Sequence, residues 1–297
     1  MIRFLRHEEL DFNEWDRCIT TCANPLVYAE SWYLNIVSPG WSGLVKDEYT
    51  AVFPLPTSKK WGITYCHQPP FSQQLGVFGE LDSTPFLKEV PSNYRLIDLQ
   101  LNSLNVCHTG KIKERPNLVL DLNLSLDVLR RSFSENIVRN IRKAGKAGLQ
   151  FDKSTDIPEI ISLFRQYRGR SISTMKNRDY ETLIQIGNSA RQRGRLEVHG
   201  VRSSHGTLQA GAVFLRSGHG WIFLFSAVHP DGRETGAMSA LLERFISMHA
   251  GEKCVLDFEG SSDPNLYRFY KSFGSKENVY LQLRINRLPF PFNLIKP

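Results

Sequence analysis

Apolar and polar residues follow two different periods along the first part of the chain. Apolar side chains three or four positions apart predict helices over residues 8–22, 29–37 and 82–90. Alternation with a period of two predicts strands over residues 49–56, 62–66 and 94–101. Helices that flank several strands indicate an α/β domain.

Residues 111–117 follow neither the helical nor the strand period. We therefore predict one domain over residues 1–117 and a second over residues 118–297. The second domain opens with an alternating strand at residues 118–124. Ser125 or Asp127, both good N-cap residues, then begins one long helix, because its apolar stripe continues at spacings of three or four to residue 144.

Further along, the pattern predicts two more helices and three strands, over residues 156–167, 179–193, 195–201, 208–215 and 221–228. Short turns between the three strands predict an antiparallel meander. The last of these strands is apolar on both faces, which is typical of a central strand.

A Gly-rich turn at residues 229–238 leads from this strand into a helix. Backbone N–H groups and the helix dipole favour a phosphate at such a helix start. The chain then closes with a strand at residues 255–259, a helix from Asp263 and Pro264 to Gly274, and a strand at residues 278–285.

Composition narrows the class of protein. With 297 residues, 41% hydrophobic and 11% aromatic, the chain has enough apolar material for folded domains. Its net charge of +7 is moderately basic. Its 5 cysteines have neither zinc spacing nor an even count, and no apolar run has the length of a signal peptide or membrane span. We therefore expect a cytoplasmic protein with reduced thiols.

One face of the long predicted helix is strongly basic. It carries Arg139, Arg142, Lys143 and Lys146, and Glu135 is the acid in that stretch. A basic face is often only solvated. Here the like charges repel one another, and the acid of the stretch, Glu135, is at helical spacing from Arg139 alone among them, which also fits an anionic ligand.

Three side chains of the closing segment are candidates for chemistry: Asp257, Glu259 and Tyr270. Each also has a structural interpretation, because Tyr270 has the spacing of a core aromatic and the two acids precede a helix N-terminus. Ser261 and Ser262 have no His–Asp pattern nearby, and the 8 histidines lack metal spacing, so neither a serine nucleophile nor a metal is predicted. The proline-containing segment 68–78 is either a proline-stiffened crossover packed on the domain interface or one wall of a substrate groove.

Two motifs resemble those of the GNAT acyltransferase superfamily. Arg233-Glu-Thr-Gly236 is similar to its Gln/Arg-x-x-Gly-x-Gly/Ala pyrophosphate loop, although Met238 replaces the last small residue. Tyr270-Lys-Ser-Phe-Gly274 is similar to its Tyr-x-x-x-Gly signature. The Arg-rich segment 136–149 and residues 257–261 further resemble the FemAB-like branch, whose members carry two GNAT-like domains, the first degenerate.

This resemblance implies a fold, a donor and a set of roles. The fold would be two GNAT-like domains, each with a mixed, largely antiparallel central sheet flanked by helices. The activity would be transfer of an acyl group from acyl-CoA, such as acetyl-CoA, to the amine of a small molecule or peptide. Tyr270 would be the general acid, and Asp257 or Glu259 the base or amine-binding group. Donor phosphate would contact Arg233, Thr235, Gly236 and Ala237.

Two alternatives stay open. The FemAB-like branch implies an aminoacyl-tRNA donor and a cell-wall precursor as acceptor, which the basic helix face favours because tRNA is a large anion. The third possibility is a binding protein that has the fold without the chemistry.

Overall fold

The chain forms two units in the computed structural model, which describes residues 1–60, 62–168, 175–260 and 263–289. The first unit combines Met1–Pro116 with Asn278–Pro297, and the second unit is Asn117–Glu277. The predicted division near residue 117 coincides with the start of the second unit. The second domain was predicted to extend to residue 297. In the structure the second unit ends at Glu277, and the chain then returns to the first unit.

The described residues form helices and strands that we number in chain order. They are β1 (Ile2–Leu5), α1 (Phe12–Thr21), α2 (Ser31–Val37), β2 (Ser42–Lys46), β3 (Ala51–Leu55), β4 (Thr57–Lys60), β5 (Ile63–His67), α3 (Thr84–Lys88), β6 (Tyr94–Gln100), β7 (Lys111–Arg115), β8 (Leu118–Asp121), α4 (Leu126–Arg131), α5 (Glu135–Lys146), β9 (Gln150–Asp152), α6 (Ile157–Tyr167), α7 (Asn177–Gln192), β10 (Leu196–Arg202), β11 (Leu208–Ser217), β12 (Gly220–Val228), α8 (Pro230–Thr235), α9 (Ala237–His249), β13 (Val255–Asp257), α10 (Pro264–Lys271), β14 (Lys276–Glu277) and β15 (Tyr280–Asn286). Short 3-10 helices cover His7–Glu9 and Val27–Ala29.

The strands of the first unit form two sheets. One is antiparallel with the order β1-β2-β3, and the other has the order β4-β5-β6-β15-β7, in which β5 and β6 are parallel. β15 pairs antiparallel with β6 on one side and β7 on the other. Alternation correctly predicted a strand there, but its partners lie more than 160 positions away, and no local pattern specifies them. β7 was missed because this edge strand is largely exposed and so has no apolar alternation.

The segment 68–78 is a crossover packed inside the first unit. Phe78 forms a bridge with Val52, and Leu75 forms one with Leu101. The Val77 N–H donates to the Asn105 side chain at 2.8 Å, and residues 72–78 are buried. The segment is thus a crossover, as in the first of the two interpretations, and the contacts named here lie within the first unit.

The second unit is built on one sheet with the order β14-β8-β13-β12-β11-β10-β9. β10, β11 and β12 form the predicted antiparallel meander, and β12 is central. β12 and β13 are parallel, whereas the other neighbouring pairs are antiparallel. The expected fold class, mixed α/β with largely antiparallel sheets flanked by helices, is confirmed.

The prediction of one long helix after Ser125 was wrong, because α4 ends at Arg131 and α5 begins at Glu135. Ser134 caps α5 by accepting from the Ile137 N–H at 3.3 Å, and its own N–H donates to the Ser272 carbonyl at 2.8 Å. These bonds satisfy backbone groups that a continuous helix would have paired internally. The apolar stripe continues across the break, because Leu129, Phe133 and Ile137 are all buried.

Helices cover both faces of this sheet. On one face, Phe245 of α9 stacks on Phe214 of β11 with ring centroids 3.7 Å apart. On the other face, Phe164 of α6 lies 4.9 Å from Phe225 of β12. Each buried phenylalanine contributes about 1.5–3 kcal/mol by leaving water. These contacts hold the ends of α6 and α9 beside the central strand.

Candidate active site

A gap opens in the sheet of the second unit where β12 and β13 diverge. Gly220–Ile222 of β12 pair with Val255–Asp257 of β13. Beyond Ile222, β12 continues to Val228 without pairing to β13. The pairing of β12 with β11 also shifts near Leu224, which is therefore an extra residue in β12. Such a bulge bends a strand and so turns the end of β12 away from β13.

A cleft of about 550 Å³ lies beside the diverging end of β12. Its apolar wall consists of Leu163, Phe164, Phe223, Ala227, Val228, Met238, Leu266 and Phe269. Its polar groups are Asn140, Tyr167, Arg168, Ser226, Arg233, Ser239, Asp263, Asn265 and Tyr270. A cleft with this lining suits a ligand that has both an apolar part and charged or hydrogen-bonding groups.

Tyr270 lies on the wall of this cleft, on α10. Asp263 caps that helix by accepting from the Asn265 N–H at 2.8 Å. The Tyr270 ring is 9% exposed and stacks on Phe258 with an angle of 11° between the rings. No hydrogen bond joins its hydroxyl to any residue that the structure describes. Burial, reinforced by the nearby Glu259 carboxylate, raises the pKa of Tyr270 to about 12, so the hydroxyl stays protonated at neutral pH.

Asp257 and Glu259 lie at the end of β13, just outside the residues that line the cleft. Asp257 accepts from the Asn117 amide at 2.9 Å and from the Glu259 N–H at 2.7 Å, and burial raises its pKa to about 6. Glu259 has a φ of 57°, a left-handed conformation that is costly for a side chain other than glycine. The Asp257 carboxylate therefore holds a strained turn, and that turn carries Glu259. Ser261 and Ser262 lie outside the described residues.

The predicted phosphate turn is a helix–glycine–helix connection. α8 ends at Thr235 and α9 begins at Ala237, and Gly236 between them, with a φ of 80°, caps both helices. A Cβ at Gly236 would collide with the Asn140 carbonyl oxygen, so this position requires glycine on both counts.

The predicted phosphate-binding residues have different surroundings within this connection. Arg233 is exposed and Gly236 is buried, and both line the cleft. The Thr235 hydroxyl donates to the Asp231 carbonyl at 2.8 Å, inside α8. Ala237 is fully buried in the core, so only its backbone could face a ligand.

The four basic residues of α5 are exposed. Arg139 donates to the Asn136 side chain at 2.7 Å, and no hydrogen bond or ion pair joins Arg142, Lys143 or Lys146 to another side chain in the described part of the molecule. Asn140 of the same helix lines the cleft, so the basic face lies on an element of the cleft wall.

Sequence reasoning missed two pairs at the cleft. The Tyr167 hydroxyl lies 2.8 Å from Nε2 of His229, and Arg168 lies 3.7 Å from the Asp263 carboxylate. The members of each pair are far apart in sequence and meet only because α6 packs beside β12. Asp263 was identified solely as a helix cap.

The described residues contain no group of three or more His, Cys, Asp or Glu side chains that could hold a metal ion. Nor does this part of the chain include a helix long and apolar enough to span a membrane.

A parallel strand pair that diverges over a cleft, with a tyrosine-bearing helix after it, defines the class as a GNAT-type acyltransferase fold. Residues 131–271 match the family model described as "Acetyltransferase (GNAT) domain". This stretch is therefore similar to a GNAT domain, which confirms the resemblance recognised in the sequence. A search of curated protein sequences finds no match.

Solved structures share the fold of the chain at low sequence identity. The crystal structure of FemX has a TM-score of 0.65 and 12% identity, over 97% of this chain and 98% of that one. L-PGS from Bacillus licheniformis has a TM-score of 0.54 and 10% identity, over 96% and 94%. Saccharomyces cerevisiae N-myristoyltransferase with bound myristoyl-CoA and inhibitors has a TM-score of 0.53 and 13% identity, over 96% and 81%. At these identities the likeness shows the fold alone.

Proposed function

We propose that this protein is an N-acyltransferase that moves an acyl group from an acyl-CoA-type donor to an amine. The observation that carries the proposal is the Tyr270 hydroxyl on the wall of the cleft beside the diverging end of β12, where it has no hydrogen-bond partner among the described residues. A hydroxyl on a cleft wall that bonds to no protein group is available to a bound ligand. It also lies within the segment that matches a GNAT domain.

The lining of the cleft supports an acyl-CoA-type donor. Phe164, Phe223 and Phe269 offer an apolar surface to an acyl chain, and the exposed Arg233 offers a guanidinium to phosphate. Neither a hydrogen bond nor an ion pair occupies this guanidinium among the described residues. N-myristoyltransferase, whose structure holds myristoyl-CoA, provides a precedent for this donor class on the same fold.

The chemistry needs few protein groups. The neutral amine attacks the thioester carbonyl carbon, a C–N bond forms, and the carbonyl oxygen becomes negatively charged. Backbone N–H groups on the β13-facing edge of β12, beyond Ile222, are placed to stabilise that charge. The C–S bond then breaks, the donor leaves as a thiolate, and Tyr270 as the general acid stabilises it with a hydrogen bond.

The amine must also lose a proton, and we assign this step to Glu259, directly or through water. Its carboxylate is close enough to raise the pKa of Tyr270, so it acts on the same cleft. Asp257 instead keeps the turn in place, because both of its hydrogen bonds go to neighbouring protein groups.

We place the reaction in the cytoplasm, because the cysteine pattern of the sequence is typical of reduced thiols.

A second candidate, transfer of an aminoacyl group from tRNA to a cell-wall precursor, is favoured by the exposed cations of α5. Arg139, Arg142, Lys143 and Lys146 could neutralise several phosphates of a tRNA backbone. Similarity to FemX agrees with this donor but rests on the fold alone. A third candidate, a binding protein without catalysis, would keep the cleft and lack turnover.

The test is a thermal-shift screen with acetyl-CoA, longer acyl-CoAs, tRNA and nucleotide-linked sugars, followed by transfer assays with a panel of amines. Acyl-CoA should raise the unfolding temperature and support amide formation. A shift with tRNA alone, which weakens steeply with added salt, would select the second candidate. Binding without turnover would select the third, and no shift with any ligand would contradict both enzyme assignments.

A further inference from the structure

The Tyr167–His229 pair forms a second polar site on the cleft, separate from Tyr270. Tyr167 is the last residue of α6 and lines the cleft, whereas His229 follows the final residue of β12. Nε2 of His229 lies 2.8 Å from the Tyr167 hydroxyl, and the two rings meet edge to face at 4.7 Å. The backbone N–H of His229 donates to the Gln209 carbonyl at 2.9 Å, which fixes the main chain at this point.

The hydrogen bonds of the His229 ring determine which nitrogen carries the proton. Nδ1 accepts from the Asp231 N–H at 3.2 Å, and a nitrogen that accepts cannot carry a hydrogen. In the neutral ring the hydrogen must therefore be on Nε2, which donates to Tyr167. In the charged ring both nitrogens donate, and the Asp231 carboxylate, 3.6 Å from Nδ1, is placed to pair with it.

Both states of the ring have the same consequence for Tyr167. Because the tyrosine oxygen accepts from His229, its own hydrogen must point elsewhere. The described part of the chain offers that hydroxyl no other hydrogen-bonding partner, and Tyr167 is 38% exposed on the cleft wall. Tyr167 is thus a donor aimed at the ligand, and a donor that itself accepts a hydrogen bond is a stronger one.

The position of Tyr167 indicates what it binds. Its partner His229 directly follows Val228, and Ser226, Ala227 and Val228 from the diverging end of β12 line the same cleft. The proposed function uses this strand edge to bind the acyl carbonyl oxygen. A hydroxyl beside that edge supplies a side-chain donor to the same atom.

We propose that Tyr167 is a catalytic hydrogen-bond donor to the acyl carbonyl oxygen, and that His229 is the positioning residue that directs it. This inference rests on the proposed function. As the amine adds to the carbonyl carbon, negative charge collects on the oxygen, and the Tyr167 O–H bond to it strengthens. No proton is transferred: the hydroxyl keeps its hydrogen and releases the oxygen when the C–S bond breaks.

The first experiment measures transfer by Tyr167→Phe, which removes the donor and keeps the ring. Removing one oxyanion donor from a dry site lowers kcat about 10²–10³-fold. Since Tyr167 is partly exposed to water, we expect a loss of about 10–100-fold in kcat with KM for the donor little changed. A rise in KM at constant kcat would mean that Tyr167 contacts a group already charged in the ground state, and would overturn the assignment.

Two variants of His229 separate positioning from helix capping. His229→Asn keeps a side chain able to cap α8 but too short to reach Tyr167, whereas His229→Gln has a longer amide whose N–H can reach it. We expect the asparagine variant to lose activity nearly as Tyr167→Phe does, and the glutamine variant to regain most of it. Equal activity of the two variants would contradict the positioning role.

The tautomer of His229 can be measured in the protein with an intact active site, and this test does not depend on turnover. Nitrogen-15 chemical shifts of labelled histidines, assigned by difference from His229→Asn, should show the neutral His229 ring as the Nε2–H tautomer. A neutral ring in the Nδ1–H form would overturn the inference. A wild-type protein that shows this form but transfers nothing with any donor would instead contradict the proposed function.

Discussion

Replacement of Tyr270 by phenylalanine removes a single oxygen atom from the cleft wall. The ring stays stacked on Phe258, and no protein hydrogen bond is broken among the residues that the structure describes. The free energy of unfolding should therefore change by no more than about 0.5 kcal/mol. Activity should fall far more, because general acid catalysis is worth about 10²–10⁴-fold.

The size of that loss also reports the donor class. With a pKa of about 12, Tyr270 is a weaker acid than a thiol, whose pKa is about 8.5, so it can mainly hydrogen-bond a leaving thiolate. A loss near 10²-fold is then expected for a thioester. The alkoxide that leaves an aminoacyl ester is more basic than a phenolate and takes the proton completely, so a loss near 10⁴-fold is expected for tRNA as donor.

The assay is amide formation followed by mass spectrometry, with the released thiol measured separately. Tyr267→Phe is the matched control: it lies on the same helix, does not line the cleft, and bonds to Glu277 instead. The control should retain wild-type kcat. If Tyr270→Phe also retains it, the hydroxyl takes no part in the reaction and the general-acid role must be abandoned.

Three further predictions concern stability and anion binding. Protonated Asp257 contributes stability that is fully present below the unfolded pKa of 3.8 and is lost as the pH rises through about 6. In urea titrations, the free energy of unfolding of Asp257→Asn relative to wild type should therefore rise by up to about 3 kcal/mol between about pH 4 and pH 7. A difference that does not change with pH would contradict this. Gly236→Ala should lose more than about 1 kcal/mol in the same assay, because of its φ of 80° and the Asn140 carbonyl, and wild-type stability would refute the described turn. Combining Arg139→Ala with Lys146→Ala should leave KM for acyl-CoA unchanged and reduce the salt slope of any tRNA binding by about two, whereas a raised KM would place the CoA donor on α5.

Local patterns were sufficient for the parts of the site that lie within one strand–turn–helix segment. The helix that carries Tyr270 and the glycine at 236 both follow from spacing and cap residues, whereas their proximity was implied by the resemblance to GNAT proteins. The Gly-rich turn predicted at residues 229–238 contains α8, because six residues with a proline at the start can form a short helix.

Contacts between distant segments could not be predicted in this way. Tyr167 and His229 meet only after α6 packs on β12, and β15 finds its neighbours only when the sheet of the first unit forms. The break before α5 is a different case, since its signal was present. Ser134 followed by Glu135 is a normal helix start, but the apolar stripe that runs across it favoured one continuous helix.

The return of β15 to the first unit sets an order of events during synthesis. The second unit, Asn117–Glu277, is continuous in sequence, so it can fold as soon as it leaves the ribosome. The sheet of the first unit must wait, because its fourth strand, between β6 and β7, is made only after the whole second unit. Until then β6 and β7 expose unpaired edges. A chain that stops after Glu277 would therefore have a complete second unit attached to an unfinished, aggregation-prone first unit.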